Sequence, residues 1–128
     1  MSQERVGIER LSPSEVYRRN ILKTQDELLG AAGIDNDTKN AIKSVATSSL
    51  SAIDSAKKCE TIDSLDALIH AENIGTLLKE RVKAKIEGKP LPVASRIQIH
   101  KQVHDMILYA RNGMIYELAN TCNCSRAR

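Results

Sequence analysis

The stretch Gly88-Lys89-Pro90-Leu91-Pro92 separates two long helical patterns, and no other feature constrains this chain as strongly. Gly88 reaches positive φ without steric cost and suits the position just past a helix end. Pro90 and Pro92 cannot continue a helix, and each drives the residue before it towards extended geometry. Pro92 also has the fixed φ that opens a new helix. A connection of five residues is normal between antiparallel neighbours. The two patterns therefore predict an antiparallel C-terminal helical hairpin against which the first sixty or so residues pack.

After the break, Ile99, Val103, Met106, Ile107, Ala110, Met114 and Leu118 fall on one helical face. Val93, Ile97, Leu108 and Ile115 widen it on one flank, a breadth that predicts a helix covered on two sides. Gln98, Gln102, Asp105, Tyr109, Asn112 and Tyr116 lie opposite, the expected wet side. Before the break the stripe changes course. Leu65, Leu68 and Ile69 define one line, while Ala71, Ile74, Leu78, Val82 and Ile86 define another, with Gly75 at the changeover. A helix that swaps packing partners along its length explains this better than a kink, since a lone glycine costs only about 1 kcal/mol relative to alanine.

The earlier helices announce themselves by their caps. Ser12-Pro13-Ser14-Glu15 fits an N-cap, a first-turn proline and a capping box. The apolar side then reads Tyr17, Ile21, Leu22, Leu28 and Leu29, and the wet side Arg18, Arg19, Lys23, Asp26 and Glu27. Gly33 is the expected C′ residue. Asp35 or Asp37 caps a second helix with the inward face Thr38, Ile42, Val45, Ala46, Ser49, Ile53 and Ala56, mostly small enough for close helix approach. Thr61 or Asp63 starts the third helix.

The predicted fold is all-α, one four-helix bundle-like domain with helices over residues 13–30, 36–58, 63–87 and 93–119. Residues 1–11 form a flexible arm and residues 120–128 a frayed tail. The chain has no Trp, no Phe and three Tyr, so aliphatic side chains must make the core, which favours helix-on-helix packing over a β-sandwich. Broad apolar stripes over so thin a core also point to self-association or a protein partner.

Charge is unevenly spread. Residues 35–72 carry four Lys/Arg against seven Asp/Glu, and residues 79–128 carry ten against four. The basic ladder Lys79, Arg81, Lys83, Lys85, Lys89, with Arg96 across the hairpin, forms a candidate polyanion-binding surface. No aromatic side chain interleaves it, which weakens single-strand binding, and a solvated lysine-rich helix end is the simpler reading. His100 and His104, four apart, could share a metal with His70, Glu72 or Asp105. Boundary histidines bonded to other helices explain them more simply. Cys59, Cys122 and Cys124 are odd in number and fit no disulfide framework, so free thiols in a reducing cytoplasm are expected. Residues 1–11 lack the apolar core of a signal peptide, although leaderless export by a specialised system would leave no mark here.

No phosphate loop, nucleophile elbow or other catalytic constellation occurs. No membrane span, cofactor or small-molecule substrate is expected. The sequence thus predicts a small non-catalytic helical interaction protein, an adaptor, regulator or assembly subunit acting through protein–protein contacts. A nucleic-acid accessory protein using the basic C-terminal half is the first alternative, and a metal-binding bundle the second.

Overall fold

The computed structural model describes residues 12–31, 34–88 and 93–122, with side chains except those of 84–88, 93–96 and 121–122. Four α-helices make up most of it: α1 (Pro13–Leu29), α2 (Asn36–Lys57), α3 (Thr61–Gly88) and α4 (Val93–Glu117). A π-helical turn, Leu118–Cys122, follows α4. No strand occurs among the described residues. The all-α expectation holds, and each helix end lies within two residues of its predicted position.

The caps explain those boundaries. Ser12 accepts a hydrogen bond from the Glu15 amide at 3.3 Å, and Pro13 opens α1. The helix closes at Gly30, whose amide donates to the Asp26 carbonyl at 3.1 Å. Gly33 lies outside the described residues, as do the arm at 1–11, the Lys89–Pro92 part of the interhelical turn and residues 123–128. Asp35 rather than Asp37 caps α2, accepting from the Thr38 amide at 2.9 Å. At its far end the Cys59 amide donates to Ala56 O and the Glu60 amide to Ser55 O, both at 2.9 Å. This is a Schellman closure with Cys59 in the left-handed position, φ 63°. Glu60 then caps α3 through the Ser64 amide and hydroxyl.

α1 rests mainly on α4 and α3 mainly on α2, while α2 and α4 meet along the middle. Every residue of the predicted α2 inward face is buried. Two glycines let helices approach. A Cβ on Gly113 would meet Ile53 Cδ1 at 2.8 Å, where α4 crosses α2. One on Gly75 would meet Ile107 Cδ1 at 2.9 Å, where α4 crosses α3. α3 is continuous past Gly75, so this glycine serves packing rather than ending a helix. Of the tail expected to fray, Asn120–Cys122 is instead ordered as part of the π-helical turn, with Asn120 bonded to the Tyr116 carbonyl.

Three expectations need correction. The main face of α4 is buried, but its flank is not: Ile97, Leu108 and Ile115 are exposed. Its supposedly wet side instead meets α1, where Gln102, Asp105, Tyr109, Asn112 and Tyr116 are half-buried. There Tyr109 stacks on Tyr17, centroids 6.1 Å apart, and Gln102 Nε2 donates to Glu27 at 2.8 Å. α1 offers α4 a polar, aromatic flank, so the amphipathic sense of α4 is turned by about a quarter-turn from a simple two-sided reading. On α3, Leu68 is buried but Leu65 and Ile69 are exposed, so the first stripe is an uncovered edge rather than a second packing face. Finally, Cys59 is disulfide-bonded and not a free thiol. The cysteine argument for a reducing compartment falls with it.

Among the described residues, no helix is long and apolar enough to cross a membrane.

Candidate interaction surface

The helix pair α3–α4 is antiparallel and held at three levels. Arg111 donates to Glu72 at 2.8 Å. Gly75 lies against Val103 and Ile107. His100 Nε2 donates to the Lys79 carbonyl at 3.3 Å. These residues mark the sides on which the two helices face each other. Between them runs a groove of about 410 Å³ lined by Glu72, Asn73, Thr76, Lys79, His104 and Leu108, among others.

A quarter-turn outward from these facing sides, both helices expose apolar side chains. Nine large apolar residues are exposed among the described ones, and seven belong to this pair: Ile62, Leu65, Ile69 and Leu77 on α3, and Ile97, Leu108 and Ile115 on α4. Ile62 is 74% exposed, Leu77 64% and Ile97 60%, far beyond what a covered face allows. Scattered exposed aliphatics are ordinary; a concentration on one side of one hairpin is not.

The charges around them differ by helix. From Thr61 to Leu78, α3 carries Asp63, Asp66 and Glu72 and neither Lys nor Arg. The outer side of α4 carries Lys101, His104 and Arg111, all exposed. One edge of the surface is therefore acidic and the other basic. Asp66 and Lys101 make no ion pair among the described residues, whereas Arg111 and Glu72 satisfy each other.

Three of the six residues singled out as polyanion ligands have described side chains. Arg81 and Lys83 are exposed, but Lys79 is half-buried in the α3–α4 groove. The side chains of Lys85 and Arg96, and all of Lys89, lie outside the described residues. His100 is engaged by the Lys79 carbonyl, and His104 points to the outer side. Among the described residues, no three His, Cys, Asp or Glu side chains come together to hold a metal ion. His70, Glu72 and Asp105 do not converge on the two histidines: Glu72 is taken by Arg111, and Asp105 faces α1.

A second groove, about 650 Å³, lies between α1 and α4, lined by Lys23, Thr24, Glu27, Lys101, Gln102 and Asp105 among others. It carries two basic side chains, Lys23 and Lys101, and two acidic ones, Glu27 and Asp105. Sequence reasoning did not find the exposed edge on α3, because an apolar stripe looks the same whether a neighbour covers it or not. The signal was its rotation relative to the second stripe.

Comparison with protein-family models, with curated proteins and with solved structures returns no match.

Proposed function

We propose that this chain is a small non-catalytic interaction protein that works by presenting the outer face of the α3–α4 hairpin to another polypeptide. One observation carries the reading: seven of the nine exposed large apolar side chains among the described residues crowd onto those two helices. Leaving them in water forfeits roughly 25 cal/mol for every Å² that a partner would cover. A mixed apolar and charged rim of this kind is what a protein interface presents. The sequence, free of phosphate loop or nucleophile motif, agrees with a role without chemistry.

The test is site-specific photo-crosslinking in the native cell. A crosslinking residue in place of Ile115 should form adducts with polypeptide, and one in place of Lys43 on the exposed side of α2 should not. Equal labelling at both positions, or none at Ile115, would count against the reading. The exposed Arg81 and Lys83 keep nucleic-acid binding as the second reading. It predicts adducts at Arg81 that nuclease treatment removes.

A further inference from the structure

We infer that the occupant of the α3–α4 face is an acidic amphipathic helix of a partner polypeptide, lying along the groove with its aliphatic side chains at the α2–α3 turn end and its carboxylates towards the other end. The inference rests on the reading above and names the chemistry of the partner.

The register of the hairpin comes first. Arg111 bonds Glu72, Ile107 lies against Gly75, and His100 bonds the Lys79 carbonyl, so each step up α3 is matched by a step down α4. That register puts Ile115 near the level of Leu65, His104 near Thr76 and Lys101 near Lys79.

Two chemistries then separate along the groove. At the α2–α3 end the walls are Ile62, Leu65 and Ile69 from α3 and Leu108 and Ile115 from α4, all exposed. From the level of Thr76 upwards the walls turn basic, with Lys79 and Lys83 on α3 and Lys101 and His104 on α4. Leu65 and Lys83 share one line of α3, about five turns apart, so the same side of the helix passes from apolar to cationic. Against these cations stand Glu80, one turn before Lys83, and Glu72, which Arg111 already neutralises. Asp105 faces α1, and Asp66 lies on the far rim of the apolar end. Lys79, Lys83 and Lys101 make no ion pair among the described residues, so this end of the groove keeps an excess of positive charge.

The pattern selects the occupant. Aliphatic walls gain from aliphatic side chains, and the cationic end from carboxylates. A nucleic acid would answer the lysines and leave the aliphatic end in water. A helix bonds its own backbone, whereas an extended strand would set unpaired N–H and C=O groups against Leu65 and Ile115. Its ridges also fit the groove between two packed helices. The levels of Leu65 and Lys79 are roughly 21 Å apart at 1.5 Å per residue, so the occupant needs about four turns. Its aliphatic side chains recur at three- and four-residue intervals over one half, and its acids continue the same face over the other.

The experiment uses the full chain with a photo-crosslinking residue in place of Ile115, in the native cell. Irradiation fixes the partner, a carbodiimide then joins lysine amines to carboxylates in contact with them, and the linked peptides are sequenced. The expected result is one partner segment carrying both links. Aliphatic residues at helical spacing lie at the Ile115 link, and an Asp or Glu about two to four turns away is joined to Lys79, Lys83 or Lys101. Lys83 and Lys101 are exposed, so their replacement leaves the fold alone, which circular dichroism checks. Lys83→Glu with Lys101→Glu should lower the Ile115 adduct yield at least about fivefold, while Lys83→Arg with Lys101→Arg should keep it. A partner segment without carboxylates at these lysines, or a yield indifferent to charge reversal, overturns the inference and leaves the interaction reading standing. A segment from a second copy of this chain overturns it in the same way. No polypeptide adduct at Ile115 removes both.

Discussion

Ser14 donates a hydrogen bond to the buried carboxylate of Glu117, tying the first turn of α1 to the last turn of α4 across 103 residues of chain. Both are almost fully buried, at 1% and 7% exposure. The carboxylate sits at the N-terminus of α1, where the partial positive charge of the helix end favours an anion. Ser14→Ala would remove that donor from the buried carboxylate. The expected cost is about 1.5–3 kcal/mol, the range for hydrogen bonds to charged groups. Urea unfolding followed by circular dichroism measures it. A change below about 0.5 kcal/mol, typical of a surface position, would show that the bond contributes nothing.

The two packing glycines should respond differently to a methyl group. At Gly75 the tight neighbour below 3 Å is Ile107 Cδ1, the far end of a flexible side chain. Alanine there also gains about 1 kcal/mol of helix propensity, so Gly75→Ala should be close to neutral. At Gly113 the new Cβ would press on both Cδ1 and Cγ1 of Ile53, at 2.8 and 2.9 Å. Ile53 is 1% exposed and has nowhere to move. Gly113→Ala should therefore lose about 1–3 kcal/mol to overpacking, less the propensity gain. Paired melting curves decide it, and Gly113→Ala melting at or above Gly75→Ala would contradict the packing argument.

The N-cap of α2 offers a simpler test. Asp35 accepts from the Thr38 amide, and Asp37 follows in the first turn, where its charge complements the helix dipole. Asp35→Ala should cost about 0.5–2 kcal/mol, while Asp37→Ala should cost a few tenths. Reversal of that order would assign the cap to the wrong aspartate.

Much of this architecture could be read from residues, and the reason is local. Ser12-Pro13 and Asp35 fix helix starts through bonds to amides three residues on, so a short window contains the whole interaction. The α2 face was legible because it is small, continuous and buried along its full length. The sidedness of α4 was not, because Gln102 and Tyr109 find polar and aromatic partners, Glu27 and Tyr17, on a helix 75 or more residues earlier. Periodicity says which residues are apolar, not which neighbour stands opposite. The exposed edge of α3 escaped for the same reason. The disulfide escaped because its partners were weighed by sequence spacing. An up-down-up-down bundle brings the ends of α2 and α4 to the same end of the molecule, so sequence separation alone does not set Cys59 apart from the cysteines that follow α4.

Cys59 joins two effects that can be separated by redox conditions. Its backbone is in the left-handed region, φ 63°, at the Schellman position where glycine is easiest. A non-glycine residue there costs about 1–2 kcal/mol. Its disulfide should contribute about 2–4 kcal/mol, which offsets that strain. Under non-reducing conditions Cys59→Ser should therefore be less stable than wild type by about 2–4 kcal/mol. Adding a thiol reductant should bring wild type down to the same level and leave Cys59→Ser unchanged. In reductant the order with glycine should invert: Cys59→Gly should exceed reduced wild type by about 1 kcal/mol, because only the backbone strain is then at stake. Alkylation before reduction should add one label per chain and after reduction three, as three cysteines with one bridge require. Three labels without reduction, or a stability indifferent to reductant, would show that the bridge does not form in the folded protein.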